Sequence, residues 1–305
     1  MADALKARWS EYADHLARAE AARIRTYGDG GPPLGALIDE GPSEALSLTQ
    51  NAQPALMLIE YGWDQVLRAN GLAPAYVAGH SLGEYSAMLS AGVFDFDTAL
   101  GLVMERGKLM SDEAAKVEGG MAAVLGLDRE TLDWDKVKER AHGLLRVEIA
   151  NINCPGQIVI SGVKDDVARA AEILTELGAR RVVPLTVSGA FHSTLMKPAA
   201  DAFAVRLAET PFARAEVPVV QNSTTEPATE PEALLAGLVP QMAGPVLWQD
   251  SVAEMANRGV DTFVEAGPGT VLKGLVRRTA AEAKVLAVDD EKDREEIFAL
   301  AGARA

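Results

Sequence analysis

The run VAGHSLGEYSAML, Val77 to Leu89, sets a serine between two glycines as Gly79-His80-Ser81-Leu82-Gly83. A G-x-S-x-G pattern marks a sharp strand-to-helix turn that presents the serine hydroxyl for attack. The flanking glycines are expected because such a turn leaves no room for a Cβ on either side. The hydroxyl is a weak nucleophile until an imidazole accepts its proton, so the next question is which histidine could do so. The chain has 4. His15 and His142 fall in charged helical stretches and are expected to be solvated. His80 adjoins the serine, but on a tight turn its ring should point away. His192 lies in SGAFHS, a loop of small residues after a predicted strand. Loops at strand ends are where α/β folds gather reactive groups, which makes His192 the candidate base. An acid normally lies between serine and histidine in such chains, and none stands out here. That leaves an amide or main-chain carbonyl to orient the imidazole, or a different pair.

The surrounding elements suit a reactive turn. YVA before Gly79 reads as a short buried strand, and Leu82 to Ala91 as a helix. Residues 2–25 show helical spacing of Leu5, Trp9, Tyr12 and Leu16. Further helices are expected over 52–69 and 97–115, and GDGGPP at 28–33 reads as a loop. From Gly119 the order changes to strand MAAVLGL, helix DRETLDWDKVKERAHG, strands LLRVEIANI and QIVISGV, helix DDVARAAEILTELG and strand ARRVVPLTV. A β-α-β-β-α-β order is ferredoxin-like. Residues 118–188 are therefore expected to form a small inserted domain, with 1–117 and 189–305 forming the larger one. After the insert come strand VPVVQNS, helix SVAEMANRG, strand TFVEAG and a helix opened by Gly267-Pro268-Gly269. Alternating strands and helices predict a mostly parallel sheet covered on both faces, an α/β hydrolase-like arrangement.

Composition narrows the function. With 305 residues, 48% of them hydrophobic, the chain can bury a sizeable core. No apolar run approaches the roughly 20 residues that span a bilayer, and the N-terminal text lacks a secretory pattern. The single cysteine, Cys154, excludes an internal disulfide framework and suits a reducing cytoplasm. Few cysteines and histidines argue against a metal site. A net charge of −15 argues against nucleic acid as the main partner.

Several ordered motifs carry a resemblance. GHSLGEYSA, RGKLM at Arg106 to Met110, GMAAVLGL at Gly120 to Leu127, NINCPGQIVISG, SGAFHSTLMKPAAD and VEAGPGTVLKGL follow one another as they do in malonyl-CoA:acyl carrier protein transacylases. The acyltransferase domains of polyketide synthases belong to the same superfamily. The resemblance runs from about Gln50 onward and implies roles position by position. Ser81 would be acylated, His192 would be its base, and the main-chain carbonyl of Gln241 would orient the imidazole. Leu82 N–H would donate to the oxyanion. Arg106 would grip the malonyl carboxylate in a bidentate pair, a task for which a planar guanidinium is suited. Phe191 resembles the malonyl-selecting variant. His80, Asn151 and Asn153 match positions lining the substrate cleft. The implied reaction is ping-pong transfer from malonyl-CoA to the phosphopantetheine thiol of acyl carrier protein, without cofactor or metal. From the residues alone, Arg106 reads as a solvated helix arginine, Phe191 as core, and the two asparagines as turn residues.

Relatives of this kind begin with a strand and an F-P-G-Q-G-S-Q loop, and MADALKARWS resembles instead the helix that follows it. The preferred expectation is a start assigned at an internal methionine. A degenerate relative, or replacement of the loop by GDGGPP, are the alternatives. Competing functions are a serine esterase or thioesterase, a polyketide-type acyltransferase, and a carrier-binding module without turnover. An acidic carrier would dock on basic side chains, for which Lys197, Lys273, Arg277 and Arg278 are candidates.

Overall fold

The computed structural model describes residues 2–143 and 145–302. Nine strands lie among them, in three sheets. β1 (Val77–Ala78) pairs in parallel with β6 (Val219–Val220), and β7 (Pro227–Ala228) adds an antiparallel edge to β6. β8 (Thr262–Glu265) and β9 (Lys284–Ala287) form a second parallel pair. The third sheet is wholly antiparallel and contains β2 (Gly119–Leu125), β3 (Val147–Cys154), β4 (Gln157–Val163) and β5 (Arg181–Pro184) in the order β3-β4-β2-β5. With helices Trp134–Arg140 and Lys164–Glu176 in its crossovers, this is the ferredoxin-like topology. The parallel pairing also agrees with expectation, although it is divided between two small sheets.

The helices that carry the site pack into one large core. Helix Thr49–Ala69 lies against helix Phe96–Ala114, with Leu58, Ile59, Leu102 and Val103 fully buried. Asp95 starts the second of these helices by accepting the Thr98 N–H at 2.7 Å, a cap worth about 1 kcal/mol. The ferredoxin-like sheet has a core of its own, built on Val124, Ile160, Ala170 and Leu174.

Several elements differ from the expected ones for local reasons. The helix expected over 2–25 is two, Asp3–Lys6 and Tyr12–Tyr27. The break seats the Trp9 ring on Gly62, where an added Cβ would lie 2.4 Å from it. His15 is not solvated: only 8% exposed, its ring packs among Trp9, Tyr61 and Phe96. His142 is exposed, but in a left-handed turn after the helix rather than within it. The helix expected from Asp128 begins only at Trp134. Asp128 instead accepts the Gly156 N–H, and Asp133 caps Lys136. The turn between β3 and β4 is only Pro155-Gly156, with Gly156 at φ 70°, so Asn153 and Cys154 belong to the strand.

The Ser81 turn shows where backbone freedom is needed. Ser81 itself has φ 52°, a left-handed conformation that costs a non-glycine residue about 1–2 kcal/mol. A Cβ on Gly79 would sit 1.9 Å from the Gly83 carbonyl group, so that glycine is obligatory. Gly83 differs from expectation: a Cβ there meets nothing within 4 Å, because the residue already opens the helix Gly83–Ser90. Gly79→Ala is therefore expected to lower Tm steeply or abolish soluble protein, whereas Gly83→Ala leaves Tm unchanged or slightly raised. Equal losses in thermal melts of the two variants would contradict this account of the turn.

Candidate active site

Ser81 and His192, 111 residues apart, meet with Oγ 2.8 Å from Nε2. The two chain segments come from opposite sides of the ferredoxin-like insert. His192 Nδ1 lies 2.9 Å from the carbonyl oxygen of Gln241 and 3.2 Å from that of Gly244. Carbonyl oxygens only accept, so Nδ1 carries the proton and Nε2 is left to accept from Ser81. No carboxylate is needed to fix this tautomer. Burial pushes the imidazole down to about 3, and the Arg106 charge adds to the effect. His192 is therefore neutral at pH 7. The same shift makes folding favour the neutral ring: its contribution to stability is complete above the ordinary value near 6.5 and drains away as pH falls towards 3.

Arg106 is the largest departure from a reading by residue type. It is 1% exposed, not solvated. Its Nη2 donates to Ser81 Oγ at 3.1 Å and to Gln241 Oε1 at 3.0 Å, and its Nη1 donates to Gln53 Oε1 at 2.7 Å. The guanidinium lies over the Tyr85 ring at 5.3 Å, a cation–π contact. Its Nε–H is buried without a partner among the described residues. Burial lowers its pKa from the ordinary value, yet a guanidinium stays charged. A fixed cation thus stands beside the serine with a donor to spare.

The turn that carries Ser81 is clamped by the side chains of Asn222, Gln241, Glu84 and Gln221, of which the motifs point only to Gln241, and there to its main-chain carbonyl. Asn222 Oδ1 accepts the Ser81 N–H at 2.7 Å, while its Nδ2 donates to the Gly79 carbonyl at 2.7 Å. Gln241 Nε2 donates to the Ser81 carbonyl at 2.7 Å and to Glu84 Oε2 at 2.8 Å. Glu84, fully buried, also accepts from Gln221 Nε2 at 3.3 Å and from the Asn222 N–H at 3.2 Å. Burial pushes its carboxyl up to about 7, against those donors. Asn222 follows β6, where the expected strand VPVVQNS stops short so that its last polar residues can turn to the site. A Gln-Asn pair closing an apolar strand was the available signal.

The remaining candidates fall around this centre. No backbone or side-chain acceptor among the described residues pairs with the Leu82 N–H, which leaves that donor available at the turn. His80 turns away from Ser81, as expected, and its Nε2 lies 2.9 Å from Asn153 Oδ1, with its ring edge-on to Trp248. Asn151 and Asn153 are strand residues of β3, not turn residues, and both are buried. Asn151 sits in a bridge to Val246, fastened by the Ile152 N–H to the Val246 carbonyl and the Val246 N–H to the Ala150 carbonyl, each at 2.9 Å. Phe191 packs on Met121, Ala123, Ala150 and Val159 of the ferredoxin-like sheet and also touches the large core. The loop 28–33 is exposed and is tied to Arg23 through the Gly30 carbonyl, not to the Ser81 turn. Among the basic candidates, Lys273 is not free: it is mostly buried and paired with Asp290 and Asp293. Lys197 pairs with Asp201, while Arg277 and Arg278 are exposed.

On an α/β hydrolase-like fold, a strained turn thus sets Ser81 against a carbonyl-oriented neutral imidazole and a buried arginine. The chain belongs to the acyl transferase domain family, which it matches over residues 1–299. It is 44% identical over 259 residues to the malonyl CoA-acyl carrier protein transacylase of Bacillus subtilis, covering 84% of this chain and 81% of that one. Identity is 45% over 249 residues to the enzyme of the same name from Escherichia coli O157:H7, covering 81% and 80%. Among solved structures, the acyl-carrier-protein S-malonyltransferase of Bartonella henselae superposes with TM-score 0.88 at 36% identity, over 99% of this chain and 95% of that one. A malonyl-transacylase solved in complex with a type II polyketide acyl-carrier protein superposes with TM-score 0.85 at 38% identity, covering 94% and 92%.

The imidazole state gives a direct test. An ordinary histidine would lose more than about tenfold of its neutral form between pH 6.5 and pH 5, whereas one near 3 loses almost none. The rate of Ser81 modification by a fluorophosphonate is expected to stay within about twofold over that range. A tenfold fall would place the His192 pKa near its ordinary value.

Proposed function

We propose that this chain transfers a malonyl group from malonyl-CoA to the phosphopantetheine thiol of acyl carrier protein, in fatty acid synthesis. The observation that carries the reading is the position of Arg106, whose Nη2 donates to the Ser81 oxygen and whose buried Nε–H has no partner among the described residues. An enzyme for neutral acyl groups has no use for a buried guanidinium there, which disfavours the esterase and thioesterase readings.

In this mechanism Ser81 Oγ attacks the thioester carbon as His192 Nε2 takes its proton. The developing oxyanion is met by the Leu82 N–H, and CoA leaves as its thiol with the proton that His192 returns. The Gln241 and Gly244 carbonyls steady the imidazolium while it exists. The carrier's thiol then gives its proton to His192 as its sulfur takes the malonyl group, and Ser81 Oγ leaves with the proton that His192 returns. Arg106 grips the malonyl carboxylate throughout, and water-poor surroundings strengthen that pair. Phe191 borders the acyl group, where its bulk disfavours branched substrates. His80, Asn151 and Asn153 line the approach. Division of the chain at 118 and 188 is supported by the span of the ferredoxin-like sheet, from Gly119 to Pro184. A cytoplasmic setting is supported by the lone cysteine.

Intact mass after mixing with malonyl-CoA is expected to show a malonyl adduct that Ser81→Ala abolishes; its absence in the parent chain would favour a binding module. Arg106→Ala is expected to lower kcat/KM for malonyl-CoA about 100-fold while sparing or raising acetyl-CoA use, since a lost charge-assisted bond is worth about 1.5–3 kcal/mol. Equal loss on both substrates removes the carboxylate role. For carrier docking, reversing Arg277 and Arg278 to Glu is expected to raise KM for the carrier severalfold with malonyl-CoA kinetics unchanged; unaltered carrier kinetics would move the docking face elsewhere.

A further inference from the structure

β3 is an edge strand of the ferredoxin-like sheet, and on its free side it takes partners from the larger domain. A bulge lies at Ala150, between Ile149 and Asn151. There the Ala150 carbonyl accepts the Val246 N–H and the Ile152 N–H donates to the Val246 carbonyl, each at 2.9 Å. Val246 follows closely on Gln241 and Gly244, whose carbonyls hold His192 Nδ1. Earlier in the same strand, Glu148 accepts both the Thr194 N–H and the Thr194 hydroxyl, each at 2.7 Å. Thr194 follows closely on His192 itself. The segment that carries the imidazole and the segment that orients it are thus both fastened to β3.

Packing alone does not press the first segment onto the strand. A hollow of about 480 Å³ lies at this seam, with Glu148, Ser193 and Thr194 in its lining. Nor does a local side chain cap the turn Thr194–Met196. Ser193 Oγ, in the capping position, donates instead to the Ala190 carbonyl at 2.7 Å. The opening N–H of a helical turn needs an acceptor, and the helix dipole favours a carboxylate there. Glu148 supplies it from 46 residues away. His192 needs such a tie, because its backbone is left-handed at φ 57° and would relax if the residues after it were free.

We propose that Glu148 is a positioning residue for His192: by holding Thr194 from across the domain seam, it keeps Nδ1 on the Gln241 and Gly244 carbonyls and Nε2 on the Ser81 oxygen. The inference rests on the reading of His192 as the base for Ser81, and on neither the acyl group nor the carrier. Both carboxylate oxygens of Glu148 are occupied by Thr194, so its effect on the ring passes through the loop. The charged or titratable groups that bear on the ring are Arg106 and His80, and replacing Glu148 alters neither.

The experiment is fluorophosphonate labelling of Ser81 in the full chain at pH 6.5 and pH 5, with Tm measured alongside. Glu148→Ala frees the loop and lets water reach the imidazole. Its labelling is expected to be about tenfold slower than the parent's at pH 6.5. It is expected to fall about fivefold further at pH 5, where the parent stays within about twofold. Glu148→Gln can still accept the Thr194 N–H and donate to the hydroxyl, and is expected to keep the parent's rate and flat profile. Thr194→Val retains only the N–H bond; it is expected to shift in the same direction by less, and decides the matter if Glu148→Ala does not fold. A parent-like profile in Glu148→Ala, a lowered Tm with rate and profile unchanged, or a loss in Glu148→Gln equal to that in Glu148→Ala would each overturn the positioning role. A parent chain that is not labelled at all would instead overturn the reading of Ser81 and His192 beneath it.

Discussion

A single buried carboxylate holds the reactive centre in register. Glu84 sits one helical turn beyond Ser81 and accepts from Gln221, Asn222 and Gln241. Two of these partners then act on the turn itself. Asn222 bridges the Gly79 carbonyl and the Ser81 N–H, and Gln241 holds the Ser81 carbonyl. Gln241 also sets the histidine tautomer with its main-chain oxygen and positions Arg106 with its side-chain oxygen. Burying a carboxylate is costly unless it is hydrogen-bonded, and three donors offset that cost here. The arrangement links Ser81, His192 and Arg106 through one hydrogen-bonded network.

Such linkage is what lets strained backbone persist. Ser81 and His192 both occupy left-handed conformations, at φ 52° and 57°. Each would relax if its neighbours permitted, and the surrounding bonds do not. The electrostatics are equally constrained. Arg106 carries a permanent charge within hydrogen-bonding distance of the serine oxygen, which favours anionic character there and disfavours a second cation on His192. One charged group thus bears on both the Ser81 hydroxyl and the His192 imidazole.

Much of this was legible in the residues, and the gaps have physical causes. The turn glycine, the serine and the small-residue loop around His192 could be read from local patterns, because tight turns demand particular residue types. The ferredoxin-like order was legible because each of its strands is bounded by breakers or helix caps. Arg106 was misread from its type alone, although Ala99, Val103, Arg106 and Met110 recur along one buried stripe of its helix. An arginine in phase with an apolar stripe is a buried arginine. His15 was misread for a similar reason, since the aromatic residues that enclose it include Tyr61 and Phe96, far along the chain. Asn222 and Glu84 act through contacts 138 residues apart, and no local pattern reports that.

The path of the chain through the ferredoxin-like sheet has an architectural consequence. The chain enters by β2 and leaves by β5, and those strands are hydrogen-bonded neighbours, with Ala122 beside Pro184 and Leu125 beside Arg181. Entry and exit therefore lie side by side, like the two prongs of a plug. A homologous sheet with different loops could be exchanged at that junction with the reactive turn, its imidazole and its arginine left in place on the other side. The sheet is in this sense a detachable part: its two ends meet at one junction, and Ser81, His192 and Arg106 all lie outside the segment between them.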